Sequence, residues 1–110
     1  MEKVRTFEGV RITLHDETGE GKNGNYNPDD PEDQPMLRFD VYELDEGEWV
    51  EVDSASYCTA LPATVSEEMM DKALMVLMRE LGPGVRAGVS IKKKAERLSW
   101  LSPENLDRTA

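Results

Sequence analysis

The chain has 110 residues, of which 38% are hydrophobic and 33% charged, which fits one polar domain with a single core. Its net charge is −10, and residues 1–65 hold 16 acids against 5 bases, so its field repels nucleic-acid phosphates and anionic membranes and favours a basic partner. The longest apolar run, residues 73–78, is far shorter than the roughly 20 residues of a membrane helix, so we expect a single cytoplasmic domain, 1–110, without a membrane segment.

The first predicted element is a strand, because Val10, Ile12 and Leu14 alternate with polar residues and so share one face. Residues 16–35 are predicted to be a long flexible acidic loop, since three glycines and three prolines interrupt them. The glycines match a phosphate-binding G-x-G-x-x-G pattern, but no helix start follows, so we expect no cofactor there. The acids lack the spacing of a calcium loop, so no metal site is predicted.

The next prediction is a β-hairpin formed by residues 36–44 and 49–57. A four-residue loop is preferred to a three-residue loop, because the shorter loop would set apolar residues opposite charged ones. The directly opposite pairs are then Leu44 with Trp49, Val41 with Val52, and Phe39 with Ser54. In this register the residues that face the core are Leu37, Phe39, Val41, Val50 and Val52.

Two helices are predicted after the hairpin, at about 66–81 and 90–101. The first is capped by Thr64 or Ser66 and ends at Gly82-Pro83. Its inward stripe consists of Met70, Leu74, Leu77 and Leu81, widened by Met69, Ala73 and Val76. The second is capped by Ser90, and its inward residues are Ile91, Ala95, Leu98 and Leu101.

A last short helical turn is predicted to start at Pro103, because proline suits the first helical position. Strands followed by helices indicate an α+β fold. The predicted domain is therefore a small antiparallel sheet of about three strands, with two C-terminal helices packed on one face.

The hairpin face that points away from the helices is the candidate partner-binding surface. Its apolar residues are Tyr42, Leu44 and Trp49, and its acids are Asp40, Glu51 and Asp53. In the predicted register two of these acids face each other, which destabilises a sheet unless a cation compensates: Arg38, the lysine helix, or another molecule. Aromatic residues beside charge are typical of binding surfaces. A partner, the long loop with Tyr26, or the end of the chain is expected to cover this face.

These features favour a non-enzymatic protein-binding or regulatory module, whose partner is a protein with a basic surface or a second copy. The first alternative is an acidic nucleic-acid mimic that occupies a basic channel, as some phage-borne inhibitors do. The second is nucleic-acid binding through a basic helix, 86–97, which carries Arg86, Lys92, Lys93, Lys94 and Arg97. This second alternative is disfavoured, because three consecutive lysines spread over about 200° of a helix.

Enzyme chemistry has no candidate constellation in the sequence. Cys58 and His15 are the only residues of their kinds, so a Cys–His catalytic pair would have to be this one. Cys58 lies in an apolar stretch and is predicted to be a small buried hydrophobe, and His15 is predicted to be exposed. A single cysteine also excludes an intrachain disulfide and a Cys-ligated structural zinc site. We therefore expect no enzyme activity and no cofactor.

Overall fold

A computed structural model describes residues 2–16, 36–52, 57–62, 65–97 and 103–109. Over these ranges the chain has an α+β fold, as the sequence predicts, with five strands and three helices. The elements are β1 (Glu2–Phe7), β2 (Val10–Asp16), β3 (Met36–Asp45), β4 (Glu48–Glu51), β5 (Tyr57–Pro62), α1 (Glu67–Arg86), α2 (Lys92–Arg97) and α3 (Pro103–Thr109). Most of the predicted loop at 16–35 lies outside the described residues.

The strands form one antiparallel sheet in the order β1-β2-β3-β4, and β5 also pairs with β3. Since β2 occupies one edge of β3, β4 and β5 lie one after the other along its opposite edge. The predicted second hairpin arm, 49–57, is therefore wrong: β4 ends at Glu51, and Phe39 pairs with Tyr57 instead of Ser54. This register buries an aromatic ring against Phe39, with the ring centroids 5.3 Å apart.

Both tight hairpins turn on a Glu-Gly pair. Glu8 and Gly9 connect β1 to β2, Glu46 and Gly47 connect β3 to β4, and all four have positive φ angles, as a type I′ turn requires. The predicted pairing of residues 44 and 49 is confirmed, but the loop has two residues instead of four. The sequence patterns do not predict β1, because its core side carries two cations instead of an apolar alternation.

Helix α1 is longer than predicted. The Ser66 hydroxyl accepts a hydrogen bond from the Met69 N–H (3.3 Å), so Ser66 is the N-cap. The predicted end at Gly82-Pro83 is wrong, because the helix continues to Arg86. Pro83 removes one backbone donor, but the extra turn buries Val85, which is 4% exposed.

The end of α1 is set by Gly88, which has a φ angle of 73°. Its N–H donates to the Val85 carbonyl, and the Val89 N–H donates to the Gly84 carbonyl, both at 3.0 Å. This pair of hydrogen bonds is a Schellman motif, which places a left-handed residue just after the helix.

We expect Gly88→Ala to lower the free energy of unfolding by about 1 kcal/mol, because a Cβ strains the left-handed conformation. A Cβ at this position would meet no atom within 4 Å, so the loss comes from the backbone alone. Urea unfolding measures it, and Gly88→Asn, which tolerates this conformation better, should lose less. A fully stable Gly88→Ala protein would contradict the motif.

The core lies between one face of the sheet and the helices. The predicted α1 stripe is confirmed: Met70, Ala73, Leu74, Val76, Leu77 and Leu81 are buried, and Met69 is partly buried. On the sheet, the side chains that face them are Val10, Ile12, Leu14, Leu37, Phe39 and Val41. Val50 shares this inner face but is 44% exposed, because α1 packs mainly on β1 and β2.

The two C-terminal helices complete this core. The Ser90 hydroxyl accepts from the Lys92 N–H (3.4 Å) at the start of α2, and Ile91 and Ala95 are buried as predicted. The predicted extension of this helix through Leu98 and Leu101 falls outside the described residues. Helix α3 begins at Pro103 as predicted and buries Leu106. None of the helices in the described ranges has the length and apolarity that a membrane crossing requires.

Candidate functional site

The outer face is the side of the sheet opposite the helices. Because side chains alternate along a strand, residues between the buried positions point to this face. The register brings the predicted site residues together there: Leu44 lies opposite Trp49, Tyr42 lies opposite Glu51, and Asp40 is on the same strand. Asp53 lies outside the described residues, so its predicted position opposite Asp40 stays a prediction.

Asp40 is held by two neighbouring side chains. It is 6% exposed, with its Oδ2 atom 3.0 Å from Nε2 of His15 and 4.0 Å from Nε of Arg38. Arg38, one of the three predicted sources of compensation, therefore lies beside Asp40, and His15 is a hydrogen-bonding neighbour that the sequence patterns miss. Asp40 is therefore largely buried and is engaged by its neighbours on the outer face, and its predicted role in partner binding stays a prediction.

His15 lies between Asp40 and Arg38, and these three residues form a polar cluster on the outer face. Its side chain is 22% exposed, so the predicted exposed position of His15 is wrong. The Arg38 Nε–H donates to His15 Nε2 at 3.2 Å, so one ring nitrogen lies between a guanidinium and a carboxylate. That nitrogen donates to Asp40 when it carries a proton and accepts from Arg38 when it does not. The cluster thus ties β2 to β3 across the outer face.

Trp49 is half-buried under an arginine. The guanidinium carbon of Arg11 lies 4.2 Å from the centroid of the indole ring, which is a cation–π contact, and Arg11 Nε–H also donates to the Thr6 hydroxyl at 3.3 Å. A shallow groove of about 310 Å³ runs beside this contact. Its lining residues are Glu2, Val4, Arg11, Thr13, His15, Asp40, Tyr42 and Trp49.

Burial raises the pKa of the Tyr42 phenol above its ordinary value of 10, and the nearby Asp40 and Glu51 carboxylates raise it further. The neutral phenol is therefore favoured in the folded state, so its contribution to stability is complete below about pH 10 and is lost as the pH rises through the raised pKa. We expect Asp40→Asn to lower the pKa of Tyr42, because it removes one carboxylate. An alkaline NMR titration of the Tyr42 ring measures this, and an unchanged pKa would contradict the arrangement.

The strongest charge feature among the described residues is the hairpin end, residues 43–51, which we call the acidic tip. It holds five acids and no base: Glu43, Asp45, Glu46, Glu48 and Glu51, all exposed. No base in the described part of the chain forms an ion pair with any of them. Asp45 lies directly opposite Glu48, and like charges in this position destabilise a hairpin. Two half-exposed apolar residues, Leu44 and Val50, lie among these acids on opposite faces of the hairpin.

The predicted basic helix 86–97 is wrong as one element, because Arg86 ends α1 and Lys92 begins α2. The left-handed Gly88 between them breaks the helix. Arg86 lies 3.7 Å from Glu8, and Lys94 lies 3.4 Å from Glu80. The other three cations of the patch, Lys92, Lys93 and Arg97, are exposed. The structure therefore divides the patch between two helices and neutralises part of it, which weakens it as a phosphate-binding surface.

The backbone register places Cys58 opposite Arg38, which in turn lies opposite His15. His15 and Cys58 thus lie on the two strands that flank β3, and their backbones are about 10 Å apart. The side chain of Cys58 lies outside the described residues, whereas His15 is engaged by Asp40. Among the residues that the structure describes, no group of three or more His, Cys, Asp or Glu side chains is placed to hold a metal ion.

The fold and this surface define a small α+β domain with one helix-covered sheet face and an exposed acidic hairpin. In comparisons with known proteins, no family model, no curated protein and no solved structure matches the chain. The chemistry of its own surface is therefore the basis for a functional proposal.

Proposed function

We propose that the chain is a non-enzymatic protein-binding module whose acidic tip binds a protein partner with a basic surface. One observation supports this most: five exposed carboxylates occupy nine residues, and two of them, Asp45 and Glu48, oppose each other without an ion pair to a described cation. An opposed pair of like charges costs a hairpin up to about 1 kcal/mol relative to neutral residues. A lysine or arginine from a partner would remove this repulsion on binding.

The charge of the acidic tip also suits the kinetics of such a partner. Carboxylates clustered on a projecting hairpin attract a basic surface over a distance of about 8–10 Å at physiological salt. This steering speeds association and selects partners by charge, while neutral or acidic surfaces are rejected.

Apolar contact beside the acids would provide most of the affinity. Leu44 is 50% exposed and lies directly opposite Trp49, with Tyr42 two residues along the same strand. A partner side chain that covers Leu44 would also contact the indole edge, because Arg11 covers one face of that ring. Aromatic and aliphatic residues in this setting are typical binding hot spots. Asp40, which the sequence suggests as a contact residue, lies on the same strand and is 6% exposed beside His15.

The matched experiment removes charge without changing side-chain shape. Asp45→Asn with Glu48→Gln neutralises the opposed pair, and the control, Glu68→Gln with Glu96→Gln, neutralises two exposed acids on the helices. We expect proteins captured by the wild type to be retained by the control and to bind the tip variant at least about tenfold more weakly, since charge-assisted contacts contribute 1–3 kcal/mol each.

Capture of the same proteins at the same affinity by the tip variant would contradict the proposal. A retained partner whose basic surface also binds nucleic acid would identify the domain as a nucleic-acid mimic, which competes for that surface in a salt-dependent way.

A further inference from the structure

A second surface, the basic groove, lies between β1 and α1 on the helix side of the sheet. Its volume is about 400 Å³. The apolar lining consists of Phe7, Met75, Val76, Met78 and Pro83, and the cations at its border are Arg5, Arg79 and Arg86. In an otherwise acidic chain, this groove combines apolar surface with three guanidinium groups.

The groove is open to a partner. Phe7 is 48% exposed and Met75 is 51% exposed, so two large apolar side chains border it without full cover from the described residues. Arg5 has no ion-pair partner in the described part of the chain. Arg79 and Arg86 each make a 3.7 Å contact with a carboxylate, and a guanidinium in such a pair keeps further N–H donors available.

The groove adjoins β1, whose outer edge is unpaired among the described residues. β1 is the outermost strand at one end of the sheet and β4 lies at the other end, so within the described ranges each has one unpaired edge. Pairing of β1 with a second β1 is disfavoured, because the inner face of this strand carries Lys3 and Arg5, and like charges would then face each other. Contact between two acidic tips is disfavoured for the same reason.

We propose that the acidic tip of one copy docks on the basic groove of a second copy, with β4 of the first extending the sheet beside β1 of the second. This inference rests on the proposed function, because it names the partner of the acidic tip. Each copy presents one surface of each kind, so the contact is heterologous and repeats as a ring or an open chain.

The order of the strands suits this contact. Neighbouring strands are antiparallel throughout β1-β2-β3-β4, so β4 runs in the opposite direction to β1. The β1 strand of a second copy can therefore lie antiparallel beside β4 of the first copy, with the helices of both copies on the same side of the extended sheet. Glu48 and Val50 face the helix side of the sheet, as do Arg5 and Phe7. Docking would bring acid beside cation and would place Val50 next to the apolar lining of the groove.

Sedimentation of the protein over a wide concentration range tests this contact with variants of exposed residues. The groove variant is Arg5→Gln with Met75→Gln, and the tip variant is Asp45→Lys with Glu48→Lys, which keeps a like-charged pair in the hairpin. The control is Lys92→Gln with Lys93→Gln, at two exposed residues outside both surfaces.

We expect the wild type and the control to associate with rising concentration, and each of the other variants alone to stay at 12.4 kDa. An equimolar mixture of groove variant and tip variant retains one intact contact, the tip of the former on the groove of the latter. It should therefore form a heterodimer of twice the 12.4 kDa monomer mass and nothing larger.

A wild type that stays monomeric at every concentration would overturn this inference, and so would a groove variant that associates as well as the wild type. The proposed function is judged separately, by whether neutralising the acidic tip weakens the binding of other captured proteins at least about tenfold. A monomeric chain whose tip still captures a basic protein refutes self-docking alone.

Discussion

Replacing Leu44 and Trp49 together by alanine is expected to weaken binding of a basic partner by at least about 30-fold, because residues of this kind at the centre of an interface contribute 2 kcal/mol or more. The two side chains lie directly opposite each other at the acidic tip, and Leu44 is half-exposed. Isothermal titration with the captured partner measures the change.

The control for this prediction is Met75→Ala, since this residue is 51% exposed and lies on α1, outside both the acidic tip and the groove beside Trp49. It removes exposed apolar surface while leaving the tip intact, so the affinity should stay near that of the wild type. Loss of the Arg11 contact with the indole is expected to cost some stability, so unfolding by urea accompanies the titration. Equal affinities for the two variants would show that the partner binds elsewhere.

Phe39→Ala is expected to cause the largest loss of stability, about 3–5 kcal/mol. Phe39 is fully buried on β3, the strand that pairs with β2, β4 and β5, and its ring stacks on Tyr57. Truncation therefore leaves a cavity at the position where β3 pairs with both β2 and β5. Because a domain of this size is stable by only about 5–15 kcal/mol, the variant is expected to unfold at far lower urea concentration.

Phe39→Leu, which leaves a smaller cavity, should lose less stability and gives a measurable value if the alanine variant is unfolded without denaturant. Lys93→Ala, at an exposed position of α2, should change the free energy of unfolding by no more than about 0.5 kcal/mol. A Phe39→Ala protein as stable as Lys93→Ala would place the core elsewhere.

Periodic patterns predict the parts of this fold that bury apolar residues at regular spacing. The α1 stripe and the opposition of Leu44 to Trp49 follow from such spacing. Prediction from the sequence fails where the burial of an apolar side chain outweighs a local signal, such as a proline that usually ends a helix. Helix α1 passes Pro83 because Val85 is buried beyond it, and the second hairpin arm breaks because Tyr57 packs on Phe39. These outcomes depend on packing, which a local pattern does not contain.

The candidate site divides in the same way. Its acidic tip is visible in the sequence as five acids without a base in residues 43–51. The contact between His15 and Asp40 cannot be read from the sequence in this way. These two residues are 25 positions apart, and their contact depends on the register between β2 and β3. The Glu8-Gly9 pair would have indicated β1, since the same dipeptide turns the β3–β4 hairpin at Glu46-Gly47.

Asp45→Asn with Glu48→Gln tests the central claim most directly when stability and affinity are measured on the same protein. If the acidic tip is kept for a basic partner, neutralising the opposed acids should raise the free energy of unfolding by up to about 1 kcal/mol and lower the affinity at least about tenfold. A variant that loses stability, or that binds the partner as tightly as the wild type, would contradict the claim that these acids serve binding at the expense of the hairpin.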